Sequence, residues 1–464
     1  MTINFQGAID KRLEMRCRSF SSSLLRNFTS SIQRVSKDRA DQIGNYRFLH
    51  NHRVTEGDLV KEQQNRCCRL SEDKVVVCIH DSSEANLFTH KDRLKPNSGL
   101  GFIDAEKGGV GFKMHLSLVL DAKSYYPYGM ANIKLWQRDK KVDLTHEESK
   151  RSPIEQKESY KWIEGSQCSN VTLQKAASII HVQDREGDIY EQIADFKNDN
   201  REFYIIRSRC ERKIEENGWL WEQLSASPMI GQYQLKIDGD SHGRKARESL
   251  MEVRVLTTRV KRPAKKIKSL PEYSAVITAI ETREVNPPKD SDPLIWRLLT
   301  NCKIEDLADA LQAIQWYTAR WFIEELFRLV KKENFDIESS ELESGWALRK
   351  LTLMAIDTAV KLFQFHTAIQ LEEGETVESV SSFSADEFSC LTAIGLQMQG
   401  KTEKQKNPYK TRSAKWVMWI LARLGGWKGY QSQRKPGLTT ILEGLTKFYD
   451  IYKGWVIEKD VCTR

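Results

Sequence analysis

The chain has 464 residues and a formal net charge of +8, from 72 Lys and Arg against 64 Asp and Glu. Such a length accommodates roughly two to four domains and a large core. No apolar leader opens the chain, and its nearest approach to a membrane-length apolar run, residues 352–372, is interrupted by Asp357 and Lys361, so no membrane span is expected.

Residues 1–70 hold 13 Lys and Arg against 7 Asp and Glu, leaving +6 there and only +2 in the rest. The segment reads as amphipathic helices. A basic module followed by a nearly neutral body points to a nucleic-acid-reading domain joined to a catalytic one; the alternative is a basic surface with no partner. Strands follow at 75–80, 113–121 and 126–136, then one ending at Asp184 and one at 203–207. The run Val75 to Ile79 ends at His80-Asp81, and the run Ile179 to Val182 ends at Asp184, with a helical pattern from Gly187. Each Asp thus sits at the C-terminal end of a buried strand, where α/β sheets place their sites; a cap or turn residue is the plainer reading. His80 reads as a satisfied strand histidine and Cys78 as core.

Residues 208–300 turn β-rich, with QYQLKI, MEVRVLTT, EYSAVITAI and LIWRLLT. The cation-rich RVKRPAKKIK at 259–268 reads as a flexible loop, either over nucleic-acid phosphates or simply solvated. Helices are expected at 305–332 and 345–372, an acidic, serine-rich linker follows, and the tail is helical at 385–399, 414–424 and 438–453. Within this stretch WYTARWFIEELFRLVKKE, 316–333, reads as one helix. At about 100° per residue, Tyr317, Arg320, Glu324 and Lys331 fall within an arc of about 60°, joined by Arg328, with Phe322, Ile323, Leu326, Leu329 and Val330 opposite. Glu325 lies about 100° away from Glu324, which makes Glu324 the better ligand. A solvated face with i,i+4 ion pairs is the alternative.

Asp81, Asp184 and Glu324 together make a possible carboxylate cage for two hard cations roughly 3.5–4 Å apart, the arrangement used for in-line displacement at phosphorus. Nine cysteines are scattered, with no C-x-x-C or H-E-x-x-H, so histidine and cysteine offer no rival metal site, and a reducing cytoplasm is expected.

The order Asp81, Asp184, Glu324, with Tyr-x-x-Arg-x-x-x-Glu-x-x-x-x-x-x-Lys from Tyr317 to Lys331, resembles the DDE transposases of bacterial insertion sequences. More narrowly it is similar to the cut-and-paste group named for its YREK signature. HDSSEANLF, QDREGDIY, FYIIRSRCERK, GNYRFLHNHRVTEGDL and RLGGWKGYQSQRKPGLTTILEGL match in order, so the resemblance covers nearly the whole chain. It implies an α/β fold: a ribonuclease H-like catalytic core at 71–372 with a β-rich insertion at about 208–300. A helical DNA-binding domain at 1–70 and a helical dimerisation domain at 373–464 would flank it. Asp81, Asp184 and Glu324 would be the catalytic metal ligands for two Mg²⁺ ions, with Mn²⁺ as substitute and Asp81 as bridge. Tyr317, Arg320 and Lys331 would grip a backbone phosphate, and Arg207 would line the site. Trp296 would stack on a flipped nucleotide, although PLIWRLLTN also suits a strand core. The implied partners are terminal inverted repeats, target DNA and a second copy in a synaptic homodimer, with no membrane, in the cytoplasm at the nucleoid. Donor DNA would be cut through a hairpin and the freed 3′-OH joined to target. A metal-dependent nuclease without strand transfer, and an inactive DNA-binding repressor, are the alternatives; the intact carboxylate set speaks against the second.

Overall fold

The structure, a computed structural model, describes residues 10–88, 91, 98–103, 109–138, 152–196, 201–216, 218–237, 239, 246–263, 274–289, 292–368, 371, 383–429 and 435–462. Four helices lead: α1 (Lys11–Asn27), α2 (Ile32–Val35), α3 (Arg39–His50) and α4 (Glu56–Leu70). Asp10 and Asp38 cap α1 and α3 by accepting from backbone N–H groups, and Thr55 and Asp58 form a capping box on α4. Phe20 and Phe48 meet edge to face at 6.3 Å and close the core of this helical cluster.

A single twelve-stranded sheet follows. Its first half comprises β1 (Val75–Asn86), β2 (Gly101–Phe102), β3 (Val110–Asp121), β4 (Pro127–Trp136), β5 (Ser178–Gln183) and β6 (Glu202–Arg207). Its second half comprises β7 (Lys213–Ile214), β8 (Gly218–Trp219), β9 (Met229–Ile237), β10 (Arg247–Lys261), β11 (Ser274–Glu284) and β12 (Ile295–Thr300). The main order is β2-β3-β1-β5-β6-β12-β11-β10-β7-β8, with β4 on β3 and β9 on β10. The β-rich stretch expected at 208–300 therefore continues the same sheet, hydrogen-bonded to it where β12 pairs antiparallel with β6. Of the basic loop expected at 259–268, residues 259–261 instead end β10, paired with β11, which corrects the expectation there, and residues 264–268 lie outside the described residues.

β1 is longer than its apolar run. It pairs in parallel with β5 only from Val75 to Ile79, whereas its antiparallel pairing with β3 continues to Asn86. Asp81 is therefore inside a strand, at the level where one neighbour ends, and the expectation that the strand stops there is corrected. The polar DSSEAN segment has no propensity signal for a strand; its ladder with β3 supplies the order.

Helices cover both faces. Helix α5 (Tyr160–Thr172) packs on β1, β3 and β4, and α6 (Tyr190–Asp195) and α7 (Leu220–Ala226) lie farther along the sheet. On the opposite face lie α8 (Leu307–Thr318), α9 (Trp321–Arg328) and α10 (Gly345–Ala368). The single helix expected over 316–333 is not formed. α8 ends at Thr318, whose hydroxyl donates to Gln315 O at 2.7 Å, α9 starts at Trp321, and Leu329–Glu333 winds as a π turn. The 3.6-residue periodicity cannot register such a break, because Ile323, Leu326, Leu329 and Val330 still reach the core. Arg328 leaves the shared face and pairs with Glu325 and Glu333 instead.

α10 is buried along nearly its whole length, and each fully buried leucine such as Leu351, Leu353 and Leu362 contributes about 1.5–3 kcal/mol. The charges that interrupt its apolar run are satisfied internally. Asp357 pairs with Lys361 on its own helix and with Arg66 of α4. Lys350 Nζ donates to the carbonyls of Leu49 and Asn51 at 3.1 and 2.9 Å, so the N-terminal helices are tied to the body by buried polar contacts. One apolar cluster runs from Phe20 and Leu49 through Ile79, Leu116 and Leu351 to the tail helices α11 (Ala385–Met398), α12 (Ala414–Leu424) and α13 (Leu438–Cys462). No described helix is long and apolar enough to cross a membrane.

Candidate active site

Side chains alternate along β1, so His80 and Asp81 project from opposite faces of the sheet. Asp81 points toward α9. Its Oδ1 accepts from Ser82 N at 2.8 Å and its Oδ2 from an Arg320 Nη at 2.9 Å. Burial pushes the Asp81 carboxyl up to about 6; Arg320 opposes the rise and the neighbouring charge of Asp184 adds to it. Asp184 follows the last residue of β5, where its Oδ1 accepts from Glu186 N at 2.7 Å and caps a short turn. The capping reading is thus realised, and the residue still acts electrostatically on Asp81.

Glu324 lies on α9 with its side chain 54% exposed and its Oε1 3.1 Å from the same Arg320 Nη. Glu325, one position on, is buried against Arg328. Burial works against the charge on Arg320, but Asp81, Tyr317, Glu324 and Asp184 outweigh it and raise its pKa. Two strands and one helix therefore bring three carboxylates around one guanidinium. They are not drawn into a tight cage: among the described residues, Cys78, His80 and His181 are the group whose ligand atoms all lie within 4.8 Å of one another. The sequence points to no histidine–cysteine metal site, and only the fold brings this grouping together. Its sequence signal is slight, two residues at i and i+2 on one strand and a third on the strand beside it.

Behind Arg320 stands an aromatic layer. Trp296 on β12 meets Tyr317 of α8 edge to face at 5.9 Å, and the Arg207 guanidinium lies 5.4 Å from the Trp296 ring centre and 5.9 Å from that of Tyr317. Trp296 is half-buried against the main apolar cluster and keeps part of its surface open. Lys331 Nζ donates to Ser83 Oγ at 3.2 Å, two residues from Asp81, with Glu338 at 3.6 Å. The π turn is what brings Lys331 to this edge.

The donors of Asp81, Asp184 and Glu324 are oxygen only, which fits a hard divalent cation; such an ion would favour the charged form of Asp81, which burial first and the charge of Asp184 second disfavour. Farther along β1 a cleft of about 600 Å³ is lined by residues including Ser82, Ser83, Lys113, Glu158, Lys161 and Arg209. Lys113 and Lys161 are scattered in sequence and carry no motif, so only the fold reveals that they share a wall.

At the N-terminus, Arg39, Ile43, Tyr46, Arg47 and His50 of α3 are exposed together, an arc of about 100°. The apolar members of this face, Ile43 and Tyr46, are 37% and 38% exposed, and Arg34 and Lys37 just before α3 are exposed as well. Cations interleaved with apolar contacts on one helix face suit binding to a nucleic acid. Residues 2–54, which contain this face, match the family described as transposase DNA-binding, and the match supports a DNA-binding transposase.

Proposed function

We propose that the chain is a DDE transposase of the YREK cut-and-paste group. It binds inverted terminal repeats through its N-terminal helices, pairs two ends as a homodimer, cuts donor DNA and joins the 3′-OH ends to target DNA. The observation that carries the reading is the convergence of Asp81, Asp184 and Glu324 on Arg320, in a chain that also bears a transposase DNA-binding segment. Asp81, Asp184 and Glu324 would hold two Mg²⁺ ions, or Mn²⁺ in their place, which supply positive charge to the attacking and leaving oxygens of an in-line displacement at phosphorus.

The chain's own residues do the rest. Arg320 is held between Asp81 and Glu324 in the free protein and can turn its guanidinium to a backbone phosphate, with Tyr317 and Lys331 on either side. Trp296 offers an indole face to a nucleotide unstacked for hairpin formation, and Arg207 supports that ring from behind. Water and then a strand's 3′-OH serve as nucleophiles, so no covalent enzyme intermediate is required.

The test offers uncut and precut ends to the purified protein with Mg²⁺ and a target plasmid. Joined products that disappear in Asp81→Ala, Asp184→Ala and Glu324→Ala, with end binding retained, are the expected result. Cleavage without joining would indicate a nuclease instead.

A further inference from the structure

The face of the sheet opposite Asp81 carries a buried polar chain with a defined direction. On β3, Ser117 lies directly across from His80 and its Oγ is 2.9 Å from His80 Nδ1. His80 Nε2 is 2.8 Å from His181 Nδ1 on β5, and His181 Nε2 is 2.8 Å from Asn170 Oδ1 on α5. Asn170 Nδ2 donates to Glu202 on β6 at 2.6 Å. Ser117, His80 and His181 are fully buried.

The end of the chain fixes every proton along it. A carboxylate only accepts, so Glu202 takes the amide donor of Asn170 and turns the amide oxygen toward His181. His181 must then donate from Nε2 and accept at Nδ1. His80 must likewise donate from Nε2, and its Nδ1 accepts from the Ser117 hydroxyl. One neutral tautomer satisfies each ring, consistent with burial holding both well below the usual imidazole pKa. Gly165 of α5 permits this packing: a Cβ there would stand 2.7 Å from His115 Nε2 and 3.4 Å from His80 Nδ1.

β3, β1, β5 and β6 are consecutive in the sheet, so the chain crosses four strands one residue behind Asp81 and three before Asp184. We infer that Ser117, His80, His181, Asn170 and Glu202 form a positioning device that sets the lateral spacing of β1 and β5, and through it the separation of Asp81 and Asp184. The inference rests on the proposed function, since spacing matters only if the two aspartates share cations. His80 and His181 are thus positioning residues that act through the strands they join.

The first test needs no DNA. In full-length protein labelled with ¹⁵N-histidine, long-range spectra should show His80 and His181 as neutral Nε2–H tautomers. An Nδ1–H tautomer or a doubly protonated ring at either position overturns the inference. The second uses Mn²⁺ affinity, read by electron paramagnetic resonance on DNA-free protein. His181→Phe keeps the ring shape and loses both hydrogen bonds, and Ser117→Ala removes one hydroxyl should the first variant not fold. Each should weaken Mn²⁺ binding about tenfold, the scale for partners behind a metal ligand. A lower Tm with unchanged Mn²⁺ affinity would mean that the chain only stabilises the sheet. Absence of Mn²⁺ binding that depends on Asp81 in the wild-type protein would overturn the proposed function, a failure visible before any variant is made. Co²⁺ binding with a thiolate charge-transfer band that Cys78→Ser abolishes would overturn the inference in favour of a metal held by Cys78, His80 and His181.

Discussion

Asp81 in the first half of the sheet, largely buried, and Glu284 in the second, buried, are both strand carboxylates, and the fold treats them in opposite ways. Glu284 on β11 accepts from Arg247 through two nitrogens at 2.9 and 3.0 Å, from Ser249 Oγ at 2.7 Å and from Leu294 N at 3.0 Å. These bonds, Arg247 foremost, hold it down at about 2. Asp81 has one backbone donor and one guanidinium that it shares with Glu324, and burial lifts it to about 6. A carboxylate with all its partners contributes stability. Under the proposed function, the one kept short of partners beside another carboxylate is the group that would take a cation.

The largest effect should come from removing the carboxylate with fewer partners. Asp81→Asn should lower Mg²⁺-dependent end cleavage more than a hundredfold, beyond the range of about 10–100-fold for residues that merely support a ligand. Its Tm at neutral pH should not fall, because a strained charge has been removed. Near-normal cleavage in a strand-nicking assay would break the comparison.

Helix α9 sharpens it, because Glu324 and Glu325 repeat the contrast one residue apart. Glu324→Gln should lose cleavage and keep its Tm, whereas Glu325→Gln should lose its pairing to Arg328, melt earlier and still cut. The reverse pattern in parallel melting and cleavage assays would exchange their roles.

Trp296 stands where the two halves of the sheet meet. Trp296→Ala should permit the first nick and slow hairpin formation about tenfold, in line with about 1–3 kcal/mol per stacked base. A substrate already lacking the flipped base should recover much of that rate. Equal slowing of all steps, without recovery, would leave the indole a core residue.

The smallest effect is on pH dependence, and its sign differs between the two carboxylates. The folded pKa of Glu284 lies below its unfolded value, so its stabilisation is complete above about pH 4.5 and is lost as pH falls toward 2. The folded pKa of Asp81 lies above its unfolded value, so metal-free protein loses stability as pH rises from about 3.8 to 6. Glu284→Gln should therefore cost about 2 kcal/mol at pH 7, the scale of hydrogen bonds to a charged group, and less at pH 3, with cleavage retained. Asp81→Asn should flatten the opposite slope. Denaturant unfolding across this range checks both.

The sequence by itself determined the elements whose signal is local. The strands expected at 113–121, 126–136 and 203–207 lie close to β3, β4 and β6, and the N-terminal helices followed from their amphipathic pattern. It also singled out Asp81, Asp184, Glu324, Tyr317 and Arg320 from their places beside buried runs or on one helix face, and Trp296 and Arg207 through the resemblance; their strands β1, β5, β6 and β12 lie side by side in the middle of the sheet. Only the tertiary structure decided what depends on pairing between distant segments. The ladder with β3 carries β1 past Asp81 through a polar segment, and the break at residues 319–320 and the π turn turn Arg328 away and bring Lys331 to Ser83. The polar chain from Ser117 to Glu202 joins residues from five elements. Its order arises from hydrogen bonds that exist only once the strands lie side by side, and no periodicity in the chain encodes them.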